Sequence, residues 1–213
     1  MKILLFGPQG AGKGTVGQIL TEKYGIPLIG TGQILRDAIK EGTELGKTAK
    51  SYMDKGHLVP AQLVADIVNE RAKKEVKGYI LDGFPRNLEQ AELFKEMKSI
   101  DYIIVLDIPK ELSLSRLSGR RTGSKCGTVY NINPDGFPNP KKDGVCDKDG
   151  AKLIQRGDDK PEAIEQRLKT YEEETKPILK KYKSKVHLLD ASEPIDQILK
   201  QTTDIIDKKE ARL

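Results

Sequence analysis

No apolar run in the chain is long enough to cross a bilayer. The longest, Ile3 to Phe6 and Tyr102 to Leu106, stop after a few residues, against roughly 20 for a spanning helix. The start carries one lysine and four apolar residues before Gly7, with no cleavage-site pattern, so a secretory signal is not expected. Cysteine is scarce. Cys126 and Cys146 are the only two, too few for a disulfide scaffold and suited to a reducing compartment; the expected location is the cytoplasm. Net charge is only +5 in a chain that is 32% charged. There is no basic tail and no arginine-rich block, so a nucleic-acid partner is not expected. Internal repeats and low-complexity linkers are also missing. At 213 residues and 37% hydrophobic content, the chain is long and apolar enough for a real core, which excludes disorder.

What is present is a rhythm. Five β-rich runs, Lys2–Phe6, Pro27–Ile29, Tyr79–Leu81, Tyr102–Asp107 and Val186–Leu189, alternate with helical stretches. Val16, Ile19, Leu20 and Tyr24 recur at helical spacing, as do Ile164, Leu168 and Tyr171. Long helices are expected from Pro161 to about Tyr182 and from Pro194 to about Asp207. Asp159, three residues before Glu162 with Pro161 between them, reads as the cap of the first. Such alternation predicts an α/β fold with a parallel sheet covered on both faces, and ligands beyond the carboxyl ends of its strands. Two segments interrupt it. Residues 30–59 read as two short charged helices, and residues 122–159, rich in Gly, Pro, Asn, Asp and Lys, read as a lid or small inserted module.

The chemistry concentrates in Gly7-Pro8-Gln9-Gly10-Ala11-Gly12-Lys13-Gly14-Thr15, directly after the first run and opening a helix. Glycines let backbone N–H groups turn inward around phosphates, Lys13 adds a point charge, and the helix terminus adds its dipole. The hydroxyl residue that ligates Mg²⁺ in GTPase loops directly follows the lysine; here Gly14 intervenes before Thr15, and no Asn-Lys-x-Asp base-reading motif occurs. A GTPase switch is therefore not expected. Asp82, in Asp82-Gly83-Phe84-Pro85-Arg86, is the carboxylate candidate. It can open a simple turn, but the end of a strand beside a phosphate loop is where a carboxylate reaches Mg²⁺-bound water. Arg36, Arg86, Arg116, Arg120, Arg121, Arg156 and Arg167 supply forked guanidiniums that match phosphoryl oxygens. The two histidines, His57 and His187, suggest no general base, which suits an acceptor that is already anionic.

These residues, with Gln90, Gly119-Arg120-Arg121, and Arg156 followed by Asp158-Asp159 and Arg167, resemble the adenylate kinase family over nearly the whole chain. The resemblance implies a three-layer P-loop fold with a five-stranded parallel sheet. Its core would be residues 1–29, 60–121 and 160–213, with a helical NMP-binding insertion at 30–59 and a long lid at 122–159. It implies reversible, Mg²⁺-dependent transfer from ATP to AMP giving two ADP, with closure excluding water. The enzyme would be a monomer by family default, with no membrane or nucleic-acid partner. Gly10, Ala11, Gly12, Lys13, Gly14 and Thr15 would hold donor phosphates, Arg116 would stack on the donor base, and Val129, Tyr130 and the backbone near Glu193 would complete that side. Thr31, Arg36, His57, Leu58, Val59, Gly83, Phe84, Pro85, Arg86 and Gln90 would bind AMP. Arg120, Arg156 and Arg167 would stabilise the moving phosphoryl group, the last two also reaching AMP, and Asp82 would hold Mg²⁺ through water. Broad or GTP-based base selectivity is the near alternative, and a nucleotide-dependent nucleic-acid module the distant one.

Two departures stand out. Gln33 replaces the family's aspartate, which is expected to shift selectivity or Mg²⁺ dependence without abolishing activity. In the lid, zinc-bearing relatives would place four ligands where this chain has Gly123, Cys126, Cys146 and Asp149. One ligand is missing, and only Asp143 or water could supply a fourth. A metal-free lid is preferred; a zinc site on Cys126, Cys146 and Asp149, or a Cys126–Cys146 disulfide, are the other readings.

Overall fold

Side-chain alternation along the strands accounts for the architecture. In a computed structural model, which describes residues 1–133 and 138–210, Ile3 and Leu5 of β1 (Lys2–Phe6) face one core, while Leu4 and Phe6 face another. A strand buried on both faces must be covered on both, and it is. After β1 come α1 (Lys13–Tyr24), β2 (Leu28–Gly30), α2 (Thr31–Glu41), α3 (Glu44–Met53), α4 (Ala61–Lys74), β3 (Tyr79–Asp82), α5 (Leu88–Leu93), β4 (Tyr102–Asp107) and α6 (Lys110–Ser118). Then follow β5 (Arg120–Gly123), β6 (Val129–Asn131), β7 (Leu153–Ile154), α7 (Pro161–Thr170), α8 (Lys176–Lys181), β8 (Val186–Asp190) and α9 (Ile195–Glu210).

The main sheet has the order β2-β3-β1-β4-β8 and every pairing is parallel. Val16 and Leu20 of α1 and Ile198 and Ile206 of α9 pack on the Ile3–Leu5 face. Val64 and Val68 of α4, with Phe84, Phe94 and Ile178, pack on the other. The expected three-layer α/β fold with five parallel strands is what the chain forms, the second strand lying one residue later than read. Residues 31–53 form α2 and α3 without a strand, and α3 is capped by Thr43, whose hydroxyl accepts from Gly46 N at 3.1 Å.

The region expected to form the lid holds its own antiparallel sheet in the order β6-β5-β7, starting at Arg120. Of the range expected for the lid, 134–137 lie outside the described residues, as do 211–213 of the core range. Two expectations about the carboxyl-terminal helices need correction. Asp159 does not cap α7: Lys160 is the N-cap, without a side-chain bond, and Pro161 takes the first helical position. Asp159 is engaged elsewhere, on two arginines. The helix expected through Tyr182 is also interrupted, by a wider π turn at Tyr171–Thr175 between α7 and α8. Such turns concentrate at functional places; this one sets the Thr175 hydroxyl on the Arg86 carbonyl at 2.6 Å.

Candidate active site

The phosphate loop follows from the chain's need to leave β1 and enter α1 at once. Gly7 sits at φ +137°, and a Cβ there would meet the Leu106 carbonyl oxygen at 2.1 Å, so no other residue fits. Lys13 opens α1 and folds its ammonium back onto the Gly7 and Pro8 carbonyls, 2.8 Å from each. Burial, outweighing the attraction of Asp82, pushes this ammonium down to about 8, helped by the positive charges of Arg86, Arg167 and Arg120. Arg116 of α6 donates to the Ala191 carbonyl at 3.0 Å and to that of Gly10 at 3.4 Å, bracketing loop and β8–α9 turn. Glu193 is two residues further along that turn.

Beside the loop, β3 ends in Asp82, which pairs in register with Leu5 of β1. Its Oδ2 would lie 3.7 Å from a Cβ built on Gly14. No hydrogen bond or ion pair to its carboxylate occurs among the described residues. An uncommitted carboxylate beside a phosphate loop is the hard oxygen donor that Mg²⁺ takes, so the residues present fit that ion.

Next to these lies a cleft open to solvent. Thr31, Arg36, His57, Leu58, Val59, Gly83, Arg86 and Gln90 line it together with Asp158 and Arg167. Phe84 does not: it is buried and stacks edge-on against Phe94 in the core, 5.4 Å between ring centres. Pro85 and Arg156 are not in the lining either. Arg86 is anchored at three points. Its Nε donates to Gly83 O at 2.8 Å, its backbone N–H to Gln90 Oε1 at 2.8 Å, and its carbonyl accepts from Thr175.

Arg120 grips Asp159 with both Nε, at 2.8 Å, and Nη2. Arg167 donates to the Asp158 carbonyl at 2.7 Å and contacts both carboxylates at 3.2 Å. Arg156 donates to Thr122 Oγ1 at 2.9 Å, and burial, with Arg120 and Arg36 nearby, pushes its guanidinium down to about 9. Thus Lys13, Arg36, Arg86, Arg120, Arg156 and Arg167 share one field, in which Asp82, Asp158 and Asp159 are the carboxylates acting on them. Arg36 Nε is buried without a partner. An excess of buried, fixed positive charge with an orphaned donor suits an anion.

The sequence assigned Asp158 no role and Asp159 only that of a helix cap; both are struts of the arginines. Leu35, Met53, Gly56 and Val64 also line the cleft and were not foreseen. Leu35 had a signal, one helical turn after Thr31. In the lid, Tyr130 is buried with Cys146 and Leu153, its hydroxyl accepting from Asp147 N at 2.9 Å, so it faces the lid's own core. Val129, its neighbour on β6, points to the opposite side of that strand.

Cys126, Cys146 and Asp149 bring their ligand atoms within 4.8 Å of one another. The two sulfurs are within hydrogen-bonding reach at 3.5 Å and form no disulfide. A backbone N–H from Ala151, then the two thiols, hold the Asp149 carboxyl below the usual range. A Cβ on Gly123 would stand 3.0 and 3.1 Å from the sulfurs. Position 123 thus faces the cluster and has no side chain to give. Three protein ligands do not fit the closed four-ligand geometry of structural zinc.

Comparison with known proteins gives a consistent result. The family model described as Adenylate kinase matches residues 5–187. A protein of Oceanobacillus iheyensis named Adenylate kinase is 45% identical, with 98% of this chain and 100% of that protein covered. One of Archaeoglobus fulgidus with the same name is 44% identical over 98% and 99%. Another, from Staphylococcus aureus, is 46% identical over 97% and 99%.

Proposed function

The chain belongs to the adenylate kinase family, phosphotransferases that move a phosphoryl group reversibly between ATP and AMP, and we propose that this cleft performs that transfer with the residues described. The backbone from Gly10 to Thr15 and Lys13 bind the donor's phosphates, and Arg116 meets its base. Val129 and Tyr130, the latter through its backbone, cover that side with the turn at Glu193. Thr31, Arg36, Gly83, Arg86 and Gln90 hold AMP against the His57–Val59 loop. Phe84 and Pro85 shape that wall from behind.

An AMP phosphate oxygen forms a bond to the γ-phosphorus as the bond to the β-phosphate oxygen breaks. The acceptor is anionic, so no base is needed, consistent with the exposed position of His57. Arg120, Arg156 and Arg167 spread the charge that develops on the equatorial oxygens, and Lys13 and Arg86 keep the two ends in line. Asp82 would hold Mg²⁺, which when bound would supply neutralisation of the triphosphate. The observation that carries this reading is the excess of buried positive charge between loop and cleft, since positioning and electrostatics are most of such catalysis. Closure of the lid and the α2–α3 insertion keeps water from taking the phosphoryl group.

The relatives' names favour ATP and AMP over a GTP-based pair and leave the nucleic-acid reading without support. No helix among the described residues is long and apolar enough to span a membrane; a monomer in the cytoplasm is the companion reading. The lid is held by backbone bonds and its Tyr130–Cys146–Leu153 core rather than by a structural metal. A panel of nucleoside triphosphates and monophosphates, assayed for diphosphate formation, tests the function. ATP with AMP should be the best pair, and a better rate with another pair would contradict the assignment.

A further inference from the structure

Gln33 lies on α2 at the edge of the cleft, and the transfer described above gives it no task. Its amide is nevertheless bonded at both ends. Oε1 accepts from Arg36 Nη2 at 3.1 Å, and Nε2 donates to Asp37 Oδ1 at 2.8 Å. Arg36 rests on the bare backbone of Gly32, where a Cβ would come within 3.1 Å of Nη1. The guanidinium is therefore pinned on one side by the glycine and on another by the glutamine, while its buried Nε stays unpartnered. We propose that Gln33 is a positioning residue for Arg36, and that its neutrality sets no further carboxylate against the guanidinium that meets the acceptor phosphate. This rests on the reading of Arg36 as an AMP ligand.

Only an amide meets both contacts without cost. A carboxylate at 33 could still accept from Arg36, but it would set its own charge against the guanidinium and compete with the phosphate. It would also face the Asp37 carboxylate one turn away, where like charges repel. An apolar side chain would leave Arg36 free to rotate. A glutamine both accepts and donates, and it spends no charge. The lid passes close by: a Cβ on Gly127 would stand 3.5 Å from Gln33 Nε2. At this meeting point a neutral side chain asks for no counter-ion from the lid.

The test measures AMP affinity by calorimetry without ATP, together with steady-state KM and kcat for both nucleotides. Gln33→Glu keeps size and shape; Gln33→Leu removes both hydrogen bonds. Each should weaken AMP binding and raise its KM by about tenfold or more, the order of one hydrogen bond to a charged group. The KM for ATP and kcat at saturation should stay within about twofold. The double variant Gln33→Glu/Asp37→Asn removes the repulsion but not the new charge beside Arg36, so AMP binding should stay weak. Recovery in the double variant would overturn the role of neutrality. An unchanged KM for AMP in both single variants, or a fall in kcat alone, would overturn the proposal. Arg36→Met separates it from the reading beneath. If that variant loses AMP affinity while the Gln33 variants keep theirs, the proposal alone fails. If it keeps AMP affinity, the assignment of Arg36 fails and the proposal with it.

Discussion

The arginine cleft and the cysteine lid each gather polar side chains from distant parts of the chain, but only the first over-determines them. Arg86 is tied to Gly83, Gln90 and Thr175; Arg120 and Arg167 share Asp159. In the lid, Cys126, Cys146 and Asp149 converge around a position that offers no fourth group. Backbone bonds join the strands and turns of that region, such as Gly123 N to Thr128 O and Cys146 N to Ala151 O, each 2.8 Å. The difference is one of need. Charges that must meet a dispersed anion have to be fixed to a fraction of an ångström, whereas a cover needs only to fold and to close.

The contrast breaks first at Arg86. Arg86→Ala should lower kcat with AMP by about a thousandfold, as loss of a preorganised charge contact does, while melting temperature and ATP affinity hold nearly constant. A rate within a few-fold of the parent would remove that arginine from the site. Asp159→Ala probes the struts. Removing one partner of a buried pair costs about 3–5 kcal/mol. At about 2–4 °C per kcal/mol for a chain of this size, the melting point should fall by about 10 °C. Turnover should drop with it, because Arg120 and Arg167 lose their anchor. An unshifted melting curve would mean that the cleft is not over-determined.

A milder effect belongs to pH. Lys13 titrates at about 8 in the free protein because its ammonium is buried. Below that value it is charged and attracts phosphate; as pH rises through it, that attraction is lost. ATP affinity measured by calorimetry should therefore weaken from pH 8 to 10, by at most about tenfold per unit, and the dependence should vanish in Lys13→Met. Fold stability carries the opposite sign. Between about 8 and the ordinary 10.5 the unfolded chain holds the extra proton, so this group's contribution to stability rises with pH. ATP affinity that is flat across that range would contradict the burial of Lys13.

The smallest effect on activity is expected in the lid. Protein purified without chelator should hold well under one zinc per chain by elemental analysis. Gly123→Cys, which places a fourth ligand at the cluster, should bind zinc near one to one and raise the lid's resistance to proteolysis while leaving kcat nearly unchanged. Stoichiometric zinc in the unaltered chain would show that three protein ligands suffice.

Much of this was legible in the residue order, for physical reasons that differ by element. Lys2–Phe6 and Tyr102–Asp107 read as strands to the residue because burial on both faces leaves a continuous apolar run. The phosphate loop was legible because its glycines answer steric demands written into the local chain. Asp159 was misread because a carboxylate before Pro161 has the local signature of a cap, and nothing local reveals an arginine 39 residues away. The π turn at Tyr171–Thr175 was hidden for the same reason: helical periodicity continues through it, and only the Arg86 carbonyl explains it. Tyr130 was placed on the nucleotide side by resemblance, while its ring is held by the lid's own core.

The central claim is that one cleft holds two nucleotides with their phosphates facing each other. Calorimetry with a diadenosine pentaphosphate, which joins both adenosines through one phosphate chain, tests it most directly. The expected result is a single molecule bound per chain, far more tightly than ATP or AMP alone, and displaced by either nucleotide. Binding no tighter than ATP, or displacement by ATP but not by AMP, would contradict it.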